Sequence, residues 1–148
     1  MVNIGKKIAI YPGSFDPFHN GHLNILNKAL KLFDFVYIVI TKNINKNENP
    51  DLESRVNKIQ LMISDLDNTK ILINKDYLTI DFAKKVNAGF IVRGVRDTET
   101  FQNEIEFIDA NKSLNSNIET ILLVSDLNER KLSSSIIREI EFYKNNNK

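Results

Sequence analysis

Short apolar runs rich in isoleucine and valine alternate with longer stretches whose apolar residues recur at helical spacing, and the alternation persists along the whole chain. Residues 7–11 read as a short buried strand (Ile8, Ala9, Ile10), stopped by Pro12-Gly13. Residues 22–33 place Leu23, Ile25, Leu26, Ala29, Leu30 and Phe33 on one helical face. Residues 35–41 are almost wholly apolar and β-branched, as in a strand covered on both sides. After a polar loop at 43–50, Asp51 can cap a helix reaching about residue 66, with Val56, Ile59, Met62 and Ile63 inward. Residues 70–73 form a short strand, Thr79 can cap a helix through Val86, and Gly89 suits its stop. A buried strand at 90–92 ends at Arg93-Gly94. Residues 98–114 are helical, with Phe101, Ile105 and Ile108 as the stripe; 119–124 is the last strand and 133–143 the last helix.

Strands that alternate with helices call for a parallel sheet with helices on both faces, so the expected fold is α/β, a doubly wound parallel sheet. The 148 residues make a single domain, 1–148, long enough for a core without staples, with 144–148 as a frayed polar tail. In such sheets ligands bind beyond the carboxyl ends of the strands, near the switch point. Segments 12–22, 42–46, 93–97 and 125–135 each follow a strand and would gather along that edge.

Composition removes several functions. The chain has no cysteine, which excludes a disulfide framework, a thiolate zinc site and a cysteine nucleophile. Its net charge of +1 argues for neither nucleic acid nor a membrane surface as partner. No apolar run approaches the ~20 residues that span a bilayer, and the N-terminal residues do not form a secretory signal. The expected location is the cytoplasm.

Gly13-Ser14-Phe15-Asp16-Pro17-Phe18-His19-Asn20-Gly21-His22 stands out. Glycine and proline shape a tight loop between a strand and a helix whose N-terminal N–H groups favour an anion. Ser14 adds a hydroxyl, and both histidines of the chain, His19 and His22, lie here. Histidine at a helix start can donate to phosphate oxygens and stabilise charge that develops during nucleotidyl transfer. Taken alone, the same residues also suit a turn with two surface histidines; a zinc site lacks a third ligand. A second segment, Lys131-Leu132-Ser133-Ser134-Ser135, opens a helix with three hydroxyls, which is either plain capping or an anion site. A third, Arg93-Gly94-Val95-Arg96, puts two arginines after a buried strand, suited to bidentate phosphate contact or merely to a solvated loop.

The ten residues 13–22 resemble, without a gap, the signature of the HxGH nucleotidyltransferases. Arg93-Gly94-Val95-Arg96, a following helix with Glu104 and Asn111, and Lys46 after the second strand resemble in particular the phosphopantetheine adenylyltransferase family, over roughly residues 6–140. The resemblance implies adenylyl transfer from ATP to 4′-phosphopantetheine with Mg²⁺, by a homo-oligomer that is usually a hexamer. It implies that His22 stabilises the transition state and that Ser14 touches both substrates. Phe15, Gly94, Val95, Arg96 and Glu104 would contact ATP, as would Glu129, Arg130, Lys131, Leu132, Ser133, Ser134 and Ser135. Lys46, Thr79 and Arg93 would hold phosphopantetheine. No metal ligand among the side chains is implied. Glu129 stands where the family often has an aromatic residue, Ser125 where it has Pro or Thr, and Lys148 comes before the family's longer helical C-terminus.

Competing readings are an HxGH enzyme acting on a pyridine mononucleotide or on glycerol phosphate, a non-catalytic nucleotide-binding module, and a fragment of a class I aminoacyl-tRNA synthetase. The synthetase should carry a Lys-Met-Ser-Lys-Ser loop, which Lys131-Leu132-Ser133-Ser134-Ser135 echoes only in part.

Overall fold

The computed structural model describes residues 5–42, 51–126 and 132–147. Five strands and five helices alternate: β1 Ile8–Gly13, α1 Asn20–Leu32, β2 Phe35–Thr41, α2 Leu52–Met62, β3 Thr69–Asn74, α3 Thr79–Lys85, β4 Phe90–Val95, α4 Thr98–Leu114, β5 Glu119–Val124 and α5 Ser134–Asn146. All strands are parallel, in the order β3-β2-β1-β4-β5. The chain winds outward from β1 to β3, then returns to the other side of β1, so the switch point lies between β1 and β4.

Strand alternation divides each apolar run between two core layers. Ala9, Tyr11, Val36, Ile38, Ile40 and Val92 pack with Ile25, Leu26, Ala29 and Phe33 of α1 and its flank, and with Ile59 of α2. Ile10, Val39 and Ile91, one step out of phase, pack with Ile80, Phe82 and Ala83 of α3. This is why the strands read as continuous hydrophobic runs.

The strands flanking the switch point diverge. β1 pairs with β4 only at Ala9↔Phe90 and Ile10↔Ile91, whereas its register with β2 continues to Gly13↔Ile40. Pro12 has no N–H with which to extend a ladder. Its carbonyl accepts from the Arg93 side chain instead, at 2.9 Å. Beyond this point the two strands enclose a cleft.

Several local expectations change. α1 begins at Asn20, two residues before His22, because His19 takes the cap position. Asp51 does cap α2, but the helix stops at Met62. Thr79 is the first residue of α3 rather than its cap; Leu78 precedes it and contributes no side-chain bond. The left-handed residue after α3 is Asn87 (φ 59°), not Gly89, whose φ is not positive. β4 continues through Arg93 and Gly94 to Val95. α5 runs past Tyr143 to Asn146.

The largest departure concerns α4. Phe101 and Ile105 are exposed, and the residues this helix buries are Glu104 and Asn111. Phe107, partly buried, joins the core layer of Ile80, Phe82 and Ala83. A polar inward row defeats a reading based on apolar spacing alone.

Candidate active site

A cleft of about 900 Å³ opens where β1 and β4 part, lined by the loop after β1, the first turns of α1, the end of β4, Glu104 and the residues after β5. Ser14, Phe15, His22, Arg93, Gly94, Val95, Arg96 and Glu104 all line it. Thr79 stands at the start of α3 and Leu132, Ser133, Ser134 and Ser135 at the start of α5; none of these is among the lining residues. At α5, Ser133 accepts from the Ile136 N–H at 3.3 Å and its hydroxyl lies 3.2 Å from that of Ser135. Lys46, Glu129, Arg130 and Lys131 lie outside the described residues.

His22 is held by hydrogen bonds and by aromatic packing. Its Nδ1 accepts from the His19 backbone N–H at 3.1 Å, and the His19 ring accepts from the Gly21 N–H at 3.0 Å. Gly21 is needed because a Cβ there would stand 2.9 Å from the His19 ring. Phe15 meets the His22 ring edge-on with centroids 5.1 Å apart, and Phe18 stacks on it at 5.3 Å. Burial, then the neighbouring His19 and Arg96, pushes the His22 pKa down to about 4. The ring is therefore neutral near pH 7. With Nδ1 accepting, the proton of the neutral ring belongs on Nε2. His22 presents a neutral N–H donor in a fixed orientation.

Arg93 and Glu104 form a two-pronged pair. Arg93 Nε donates to Glu104 Oε2 and Nη2 to Oε1, each at 2.8 Å, while Nη1 reaches the Pro12 carbonyl. The guanidinium also lies 4.8 Å from the centre of the Phe107 ring. Of the five N–H groups of arginine, three are used, and one remains on each terminal nitrogen. The pair fixes Arg93 in a position that also lines the cleft, and Glu104 faces Arg93.

Sequence reasoning missed five other residues. Tyr11 lines the cleft, and burial raises its pKa, so its phenol stays protonated. Asn24 and Asp126, 102 positions apart, exchange two hydrogen bonds: Asn24 Nδ2 donates to Asp126 Oδ2 at 2.6 Å and the Asp126 N–H to Asn24 Oδ1 at 2.9 Å. Lys28 lies 2.5 Å from the same carboxylate, and hydrogen bonds from Lys28 and Asn24 lower the Asp126 pKa. Arg55 of α2 donates to the Ser14 carbonyl at 2.8 Å. No local pattern announces any of these partners.

The cytidylyltransferase-like family matches residues 10–140. A phosphopantetheine adenylyltransferase of Mycoplasma mycoides subsp. mycoides is 58% identical over 93% of this chain and 99% of its own length. The protein of that name from Finegoldia magna is 42% identical over 95% of this chain and 86% of its own. The chain belongs to the phosphopantetheine adenylyltransferase family. Among solved structures, a lipopolysaccharide core biosynthesis protein from Thermoplasma volcanium superposes with a TM-score of 0.60 at 21% identity, covering 83% of this chain and all of that one. This likeness shows the fold. For a phosphopantetheine adenylyltransferase the cleft has a suitable form: an anion-favouring loop and helix start, a neutral histidine donor and two arginines face one space.

Among the described residues no group of three His, Cys, Asp or Glu could hold a metal ion. Asp16, Glu104 and Asp126 are the acidic residues lining the cleft; Glu104 is bound to Arg93 and Asp126 to Lys28 and Asn24.

Proposed function

We propose that this chain transfers the adenylyl group of ATP to 4′-phosphopantetheine, giving dephospho-coenzyme A and pyrophosphate, the penultimate step of coenzyme A synthesis. The observation that carries the reading is the 58% identity with the Mycoplasma enzyme across 99% of that protein's length. The orientation of His22 over a cleft at the switch point supports it.

In this reading an oxygen of the acceptor phosphate attacks the α-phosphorus of ATP in line, and the bond from α-phosphorus to the bridging oxygen breaks. Pyrophosphate leaves with the electron pair. The acceptor is a phosphate monoester, already largely anionic near pH 7, so no general base is needed. Catalysis consists of holding two polyanions together and stabilising the pentavalent centre. His22 Nε2–H would donate to a non-bridging oxygen of the α-phosphate. A neutral donor fits, since its Nε2–H can donate a hydrogen bond but is far too weakly acidic to be lost to the phosphates. Arg96, the two remaining N–H groups of Arg93 and Lys46 would offset phosphate repulsion. Ser14, Phe15, Gly94 and Val95 would line the nucleotide, and residues 129–135 would contact it by family resemblance. Glu104 would act mainly by orienting Arg93, and Thr79 by touching the pantetheine arm. Mg²⁺ would accompany the nucleotide as counter-ion to its phosphates.

Replacing a preorganised donor of this kind costs on the order of 10²–10³ in rate. His22→Ala should lower kcat by about that factor while ATP still binds; near-normal turnover would remove His22 from the mechanism. A homo-oligomer, a hexamer by family resemblance, accords with α5, which buries none of its residues and exposes Ile136, Ile137, Ile140 and Phe142. The cytoplasm is the setting that goes with this reaction.

A further inference from the structure

Arg55 is the most deeply buried charged side chain among the described residues, at 4% exposure. It lies in the first turns of α2, where its backbone N–H closes on the Asp51 carbonyl. Its guanidinium leaves the helix and donates from Nη1 to the Ser14 carbonyl, 41 residues earlier in sequence. A charge is costly to bury, so its use at this point of the loop calls for a reason.

The reason lies in the next peptide. The Ser14–Phe15 bond is trans and planar, so its C=O and N–H point in opposite directions. Drawing the Ser14 oxygen toward α2 turns the Phe15 N–H away from α2. Ser14 and Phe15 both line the cleft, and among the described residues no backbone carbonyl accepts the Phe15 N–H. Phe15 also has φ 48°, a left-handed conformation that a non-glycine residue keeps only where its surroundings over-determine it. Two anchors do so here. Its ring is 3% exposed and packs edge-on against Tyr11, Phe18 and His22. Its preceding carbonyl is fixed by Arg55.

We propose that Arg55 is a positioning residue of the adenylyl-transfer site: by holding the Ser14 carbonyl it aims the Phe15 N–H into the cleft as a donor to a nucleotide phosphate oxygen. The inference rests on the proposed function, and it makes ATP, rather than the acceptor, the ligand that depends on Arg55. It also links α2, the helix that follows the Lys46 segment, to the phosphate loop.

The test measures ATP and 4′-phosphopantetheine affinities separately by titration calorimetry, each without the other, alongside thermal melts. Arg55→Gln should weaken ATP about tenfold or more and the acceptor less than about threefold. Arg55→Lys, which keeps one charged donor, should recover part of the ATP affinity. Ile59→Val, on the same helix and away from the Ser14 carbonyl, should lower the melting temperature and leave ATP affinity unchanged. Equal weakening of both ligands would overturn the proposal, as would ATP affinity that simply follows the melting temperature across all three variants. Should Arg55→Gln not fold, Arg55→Lys decides alone: ATP weakened at least threefold supports the role, and unchanged ATP affinity overturns it. The ATP arm needs no acceptor. A wild type that binds ATP but ignores phosphopantetheine would therefore sink the functional reading and leave Arg55 to be judged by ATP affinity.

Discussion

Gly94→Ala tests the contact that holds α1, the helix carrying His22, against the sheet. A Cβ at position 94 would stand 2.8 Å from Ile25 Cγ1 and 3.2 Å from its Cδ1. Ile25 is buried in α1, three residues after His22. Rotating χ2 would move only Cδ1, and χ1 of a β-branched residue in a helix has one strongly preferred value. The strain must then go into an off-rotamer Ile25 or a displaced α1, at a cost of about 1–3 kcal/mol. For a domain of this size that lowers the melting temperature by about 2–12 °C. Since a 1 Å misplacement can cost 10²-fold, a shift of His22 by a few tenths of an ångström should lower kcat by about 3–10-fold. A double-mutant cycle with Ile25→Ala isolates the contact. That change alone leaves a cavity costing about 2–5 kcal/mol, and the methyl group added by Gly94→Ala should fill part of it. Denaturant unfolding of all four proteins should show a favourable coupling of about 1–2 kcal/mol. Additivity within about 0.5 kcal/mol, or an unchanged melt for Gly94→Ala, would refute the reasoning.

Two further predictions concern charge. The His22 pKa is lowered from the ordinary 6.5 to about 4, so its neutral ring contributes stability that is complete above pH ~6.5 and lost as pH falls toward 4. NMR titration of the two histidines should show His22 neutral down to about pH 5, and ATP turnover should lack an acidic limb near 6.5 due to this residue; a His22 midpoint near 6.5 contradicts the site geometry. Glu104→Ala should cost about 1–3 kcal/mol in denaturant unfolding, below the full penalty of a buried ion pair because Arg93 is partly exposed, and an effect under about 0.5 kcal/mol would show that Pro12 and Phe107 hold Arg93 without it.

What the sequence revealed depended on whether the signal was local. β2 and β5 and the full span of α4 match the expected bounds, because strand runs and helical stretches differ in period and in β-branched content. Pro12-Gly13, read as the stop of the first strand, are instead the last two residues of β1, because their pairing with β2 continues to Gly13↔Ile40; contiguous residues 13–22 pointed to His22. The buried face of α4 was illegible because Glu104 and Asn111, both polar, take the inward positions and leave Phe101 and Ile105 outside. β4 was cut short because Arg93 and Gly94 look like a loop, yet they extend the strand along the wall of the cleft. Arg55 follows Glu53 and Ser54 in what reads as a solvated helix face. Its burial depends on a carbonyl 41 residues away, and the Asn24–Asp126 exchange spans 102.

The most direct test is pyrophosphate release with ATP and Mg²⁺, offering 4′-phosphopantetheine, nicotinamide mononucleotide and glycerol 3-phosphate in parallel. Release with phosphopantetheine alone is the predicted result. Release with one of the other acceptors instead would keep the fold and the role of His22 but contradict the acceptor, and ATP binding without any release would contradict the enzyme itself.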